Sequence, residues 1–172
     1  MVFICEKRMK NHLIMVLKQD AKTMSVNTYE IPPMNEDEKF FLMSNGISPE
    51  LIGLYKKVRE TILAYGMIEV RATRDYIVFK HPYGKSGTKI GTLANIFFKD
   101  KHLELAFNMY SDELPEDPKN LLIKSRRGVC NFYAKIKEGD NLFNLKPLIR
   151  QAIYRMSHVH RVVKINGVFE TI

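Results

Sequence analysis

The chain has 172 residues, 45% of them apolar, with ten Phe, eight Tyr, no Trp and two Cys. That length buries a core without metal or disulfide staples, and no apolar run approaches the ~18 residues of a membrane span, so a soluble globular protein with no membrane association is expected. The net charge of +8 is unevenly spread: from Pro118 to Ile172 eleven Lys and Arg face three acids, whereas the first 50 residues carry six against seven. A field that lopsided favours an anionic partner, with nucleic acid first and an acidic protein second. Cys5 and Cys130 lack metal-ligand spacing and are too few for a secreted disulfide framework, which points to unpaired thiols in a cytoplasmic protein.

In chain order, residues 1–31 read as a strand pair with a turn near Lys7–Asn11. An isolated pair of strands is marginal in water, so this one is expected to add to a sheet edge or to pair with a second copy in a homodimer. Residues 32–47 read as an acidic linker, stiffened by Pro32 and Pro33 and solvated by Glu36, Asp37 and Glu38, with neither helix nor strand expected at its start. Residues 48–157 form the predicted α+β domain. Ser48 is an N-cap, Pro49 fits the first helical position, and Leu51, Leu54, Tyr55, Val58, Ile62 and Tyr65 recur at helical spacing up to Gly66.

Strands are predicted over Met67–Ala72, Tyr76–Lys80, Leu93–Phe98 and His102–Met109, with a glycine-containing loop over His81–Gly91. In the last of these, Leu103, Leu105, Phe107 and Met109 share one face and His102, Glu104, Ala106 and Asn108 the other. A short helix is predicted from Pro118 to Lys124, a strand over Val129–Ile136, and a long helix over Leu142–Ser157 with Pro147 in its first turn. Residues 158–172 read as a hairpin tail turning at Asn166-Gly167. The fold class is α+β, an antiparallel or mixed sheet of about five strands flanked by two main helices.

Several residues outside any catalytic motif carry a family resemblance: Leu54-Tyr55 with Val58-Arg59, Tyr76-Ile77-Val78-Phe79-Lys80, Leu103-Glu104-Leu105, Leu114 with Asp117-Pro118, and Leu148-Ile149-Arg150-Gln151-Ala152-Ile153-Tyr154. With the order helix, strands, short helix, strand, helix, this segment resembles a domain family of unassigned function. That family is found at the C-termini of proteins labelled "predicted transport protein" and beside restriction-modification modules. The resemblance implies a fold, and restriction-modification company implies nucleic acid nearby. Family members carry a Gly-His-Trp-Gly-like stretch where this chain reads Arg126-Arg127-Gly128-Val129-Cys130-Asn131-Phe132.

No catalytic, cofactor or metal signature stands out, so a non-enzymatic binding module is expected. Gly84-Lys85-Ser86 lacks the glycine five residues earlier that a phosphate-binding loop needs, because that position is Phe79. His158 and His160 alternate along the chain without a third ligand at supporting spacing. Asp75 is followed by no Glu-x-Lys strand, which leaves a metal-dependent nuclease a distant third reading after nucleic-acid binding and docking on an acidic protein; turn capping and solvation explain Glu69, Asp75, Glu104 and Asp117. The positive signal is Lys124, Arg126 and Arg127, expected in a loop beside Gly128, together with Arg150 and Arg155 on the last helix with Gln151 and Tyr154 adjacent. These five basic residues are the nucleic-acid-binding candidates.

Overall fold

The computed structural model describes residues 30–83, 89–109, 117, 119–127, 129–158, 162–165 and 168–171. The chain divides into two compact units, Met1–Glu30 and Ile31–Ile172, and the elements that follow belong to the second. The predicted N-terminal strands, the Gly84-Lys85-Ser86 loop and the Asn166-Gly167 turn lie outside the described residues.

The fold is α+β. Among the described residues three α-helices, α1 (Glu36–Ser44), α2 (Pro49–Leu63) and α3 (Lys146–Ser157), accompany an antiparallel sheet of six strands. The strands are β1 (Glu69–Ala72), β2 (Ile77–Tyr83), β3 (Lys89–Lys99), β4 (His102–Phe107), β5 (Leu122–Arg127) and β6 (Cys130–Ile136), in the spatial order β1-β2-β3-β4-β6-β5. A separate hairpin joins β7 (Val162–Ile165) to β8 (Val168–Thr171). One sheet face presents Ile77, Phe79, Ile96, Leu103, Leu105, Phe107, Phe132, Ala134 and Ile136 to a core shared with Tyr55, Val58, Ile62, Leu148, Ile149 and Ala152 from the helices. The alternation read in β4 holds, but the strand is buried on both sides, with Glu104 and Ala106 buried as well as Leu103 and Leu105.

The expected helix of the central domain is present. Ser48 Oγ accepts from Leu51 N at 3.4 Å, Pro49 opens the helix, and Gly66 follows its end at φ +71°, a left-handed conformation that glycine adopts without strain. The later long helix differs at its start. Leu142–Leu145 form a 3-10 turn capped by Asn141 Oδ1, which accepts from Phe143 N at 3.0 Å, and the α-helix begins only at Lys146. Pro147 sits in its first turn, where a missing N–H leaves no bond unmade.

Three expectations are overturned. The stretch read as an acidic linker carries α1. Asn35 Oδ1 accepts from Glu38 N at 2.8 Å while Glu38 Oε2 accepts from Asn35 N at 3.0 Å, a reciprocal capping box, and the three acids occupy the first turn, where the helix dipole favours them. Charge that reads as solvation in sequence is therefore a helix start. The second correction is the helix expected over Pro118–Lys124, where β5 runs instead. Asn120 turns the chain at φ +51°, Asp117 Oδ2 accepts from Leu122 N at 2.6 Å, and Leu122-Ile123 then continue as strand. The third is the long loop over His81–Gly91: β2 extends to Tyr83 and β3 starts at Lys89, so both strands enter it. The lengthened pair shifts register by one residue at a bulge, where Phe79 faces Ala94 but Lys80 faces Thr92.

Candidate nucleic-acid interface

One strand and one helix supply the basic candidates, and the fold sets them on separate elements. Lys124, Arg126 and Arg127 lie on β5 rather than in a loop, and β5 is the sheet edge, hydrogen-bonded to β6 with Arg127 opposite Cys130. Lys124 is exposed there. Arg150 and Arg155 lie on α3, which packs against β2 and β3. Between β3 and β5 stand β4 and β6, so at ~4.8 Å per strand the two groups are separated by about 14 Å of sheet before side chains are counted. Basic residues on an edge strand also have a plain structural use, because Lys there discourages edge-to-edge association.

The helix group is larger than sequence reading found. The buried stripe of α3 is Leu148, Ile149, Ala152 and Met156, continuous with Leu145 before it. Opposite it, Lys146, Arg150, Tyr154 and His158 recur every four residues and all are exposed. That spacing places side chains one above another on a helix surface. Phe143, 66% exposed, stands at the start of this stripe with Lys146 Nζ 4.8 Å from its ring centroid. Tyr154, 64% exposed, stacks on the His158 ring at 4.1 Å between centroids. His158 Nδ1 lies 2.8 Å from the Tyr154 carbonyl, which fixes the imidazole over the helix end.

The stripe is anchored from below. Tyr65, at the end of α2, donates its hydroxyl to Lys146 O at 3.2 Å, and the Arg150 guanidinium lies 6.0 Å from the Tyr65 ring. A cation at that distance from a ring face is attracted by its quadrupole. Arg155, half-buried in the last turn and engaged with a neighbour, stands to the side of the stripe and complements the negative end of the helix dipole. The sequence signal for Lys146, Tyr154 and His158 was present as a four-residue polar repeat complementary to the apolar one. Phe143 had no such signal, since its position depends on the 3-10 turn.

The acids singled out for acid-base chemistry are dispersed. Glu69 pairs with Arg71 on the same strand, and Asp75 sits in the β1–β2 turn with its N–H donated to Thr73 Oγ1 at 3.4 Å. Asp117 caps β5, and Glu104 is buried in mid-sheet with His102 Nε2 3.7 Å away. Among the described residues no group of three His, Cys, Asp or Glu is placed to hold a metal. Nor is any helix among them long and apolar enough to cross a membrane. Cys130 is unpaired, and burial pushes its thiol up to about 12 despite the opposing effect of the Asn95 backbone.

A buried polar cluster under α1 was missed altogether. Glu38 accepts from Arg59 Nε at 2.7 Å, from Arg59 Nη2 at 3.2 Å and from the Tyr55 hydroxyl. Arg59 also donates to Pro32 O at 2.7 Å and Pro33 O at 3.0 Å. Burial, and then the Glu38 carboxylate, raise the Tyr55 phenol far above its ordinary range. Every named group in this cluster is engaged with another part of the fold, so it fastens residues 31–38 to α2 and offers no open chemistry. The Asn35-Glu36-Asp37-Glu38 capping pattern was the available signal. No family model, curated protein or solved structure matches the chain.

Proposed function

We propose that the chain is a non-catalytic cytoplasmic binding module that contacts nucleic acid through the basic surface of its C-terminal third. The observation that supports this reading is the outward stripe of α3. Lys146 and Arg150 stand exposed one turn apart on a helix whose twelve residues include no acid. A face that only needed solvation would tolerate both signs, whereas this one presents cations alone beside aromatic rings. Phosphate contacts of this kind position a protein without reading bases, so the binding is electrostatic and insensitive to sequence.

The test is binding of the full chain to labelled 20-mer nucleic acids, duplex and single-stranded, followed by anisotropy from about 20 to 200 mM salt. Each phosphate contact contributes a log-log salt slope of about −0.9 on duplex or −0.7 on a single strand. Replacing Lys146 and Arg150 together with Ala is therefore expected to flatten the slope by about 1.4 to 1.8. A parallel triple Ala variant at Lys124, Arg126 and Arg127 measures whether the strand edge takes part. Absence of binding to either nucleic acid at the lowest salt, or an unchanged slope in the Lys146/Arg150 variant, overturns the reading and leaves an acidic protein as the partner to seek.

A further inference from the structure

We infer that the ligand of the α3 stripe is a single-stranded nucleic acid, held by stacking of its unpaired bases on Phe143 and Tyr154 while Lys146 and Arg150 take the phosphates. The inference rests on the nucleic-acid reading above and narrows it to one substrate class. Its basis is the order of chemistries along the stripe. From the 3-10 turn to the helix end the exposed groups run Phe143, Lys146, Arg150, Tyr154 and His158: ring, cation, cation, ring, imidazole.

Charge alone does not account for the rings. Duplex DNA presents phosphates outward and keeps its bases stacked inside, so a duplex-binding face needs cations and gains nothing from a phenyl ring projecting from it. A single strand offers both a charged backbone and free base faces, and proteins that hold one combine a basic track with aromatic platforms. The stripe has that composition. Phe143 leaves about two-thirds of its surface in water although the apolar core is immediately beside it at Leu145, and Tyr154 presents a ring already flattened against His158 at an interplanar angle of 27°. The second ring continues a stack that the imidazole begins, and a base laid on its outer face extends it.

The geometry also sets the length of the contact. Lys146 to Tyr154 spans two four-residue steps, about 12 Å of helix axis, and Phe143 adds one 3-10 turn beyond that. Both cations lie between the rings, so a strand running along the helix places phosphates over Lys146 and Arg150 with a base at each end. The underside is held still, since Tyr65 is bonded to the Lys146 carbonyl and lies beneath Arg150. Arg150 stays exposed above the Tyr65 ring, so its guanidinium is open to a phosphate of the strand.

The test uses the full chain with four fluorescein-labelled probes of equal length: oligo(dT), oligo(U), an abasic deoxyribose-phosphate strand and a blunt duplex. Both base-bearing single strands are expected to bind more tightly than the duplex and the abasic strand, and the ratio of the first two separates DNA from RNA. Tyr154→Ala and Phe143→Ala are each expected to weaken oligo(dT) binding about tenfold while leaving the salt slope unchanged, because stacking releases no counterions. Tyr154→Phe, which keeps the ring, recovers most of the loss. Phe40→Ala removes an exposed ring on α1, away from the stripe, and leaves binding as it was. Far-UV circular dichroism confirms that each variant is folded.

Equal affinity for the duplex and oligo(dT), equal affinity for the abasic strand and oligo(dT), or indifference to both ring deletions overturns the single-strand inference. If such a result comes with a salt slope that still depends on Lys146 and Arg150, the broader nucleic-acid reading survives. If no probe binds, both fall.

Discussion

Replacing Arg59 with Met isolates what holds residues 31–38 to the fold. Arg59 is almost wholly inaccessible, and its loss leaves the Glu38 carboxylate buried with only the Tyr55 hydroxyl and the Asn35 N–H as donors. Removing one partner of a buried ion pair costs about 3–5 kcal/mol, since the remaining charge can neither hydrate nor pair. The freed carbonyls of Pro32 and Pro33 belong to exposed residues, rehydrate, and add little. Against a typical total of about 5–15 kcal/mol the loss is large, and for a chain of this size it lowers the melting temperature by roughly 10 °C. The assay is urea unfolding followed by far-UV circular dichroism, which the absence of Trp makes preferable to fluorescence. The double variant Glu38→Gln with Arg59→Met removes both charges and is expected to be more stable than Arg59→Met alone. A cost below about 1 kcal/mol for Arg59→Met, or strict additivity in the double variant, refutes the argument that an unpaired buried carboxylate dominates.

Three further outcomes follow from other parts of the fold. Because burial holds the Cys130 thiol up to about 12, its share of stability is intact below the ordinary thiol value and is lost as pH rises from about 8.5 toward 12, at up to about 1.4 kcal/mol per pH unit. Urea midpoints for the parent and for Cys130→Ala are expected to converge over that range, and parallel declines contradict it. Lys124→Ile extends the apolar run Leu121-Leu122-Ile123 along the sheet edge and is expected to give concentration-dependent light scattering with stability changed by less than about 0.5 kcal/mol; a monodisperse variant counts against the edge-guard role. A fragment beginning at Ser48 lacks Glu38 and is expected to lose cooperative thermal unfolding, whereas one beginning at Ile31 retains it.

The fold was legible where one period dominated a segment. Ser48-Pro49-Glu50 and the apolar repeat from Leu51 to Ile62 specify α2 locally, and the alternation in His102–Phe107 specifies β4. Legibility failed where a tertiary partner decides the outcome. Glu38 reads as a solvated charge until Arg59, 21 residues away, is known to lie opposite it. Leu122-Ile123-Lys124 satisfies helix and strand patterns alike, and pairing with Ala134, Tyr133 and Phe132 settles it. Of the basic candidates, Arg150 and Arg155 lie on the expected last helix, Arg150 exposed and Arg155 half-buried. Lys124, Arg126 and Arg127 fall on a different element, β5, because a surplus of charge along a sequence carries no information about which strand or helix will bear it.

The strand order β1-β2-β3-β4-β6-β5 has a kinetic consequence. The first four strands are sequence neighbours joined by short connections, so each pairing closes a small loop and the meander can grow one hairpin at a time. The β4–β6 pairing is different: it closes the long connection between Phe107 and Cys130, whereas β5 and β6 meet across the tight turn between Arg127 and Cys130 and can pair as a hairpin before β6 docks on β4. Hydrogen-exchange protection should therefore grade across the sheet, deepest at β3 and β4 and shallowest at the edges β1 and β5, each of which has a single neighbour. The edge that carries Lys124, Arg126 and Arg127 therefore docks as one arm of a hairpin, and because β5 has a single neighbour its local opening uncovers β6 without breaking the β4–β6 pairing.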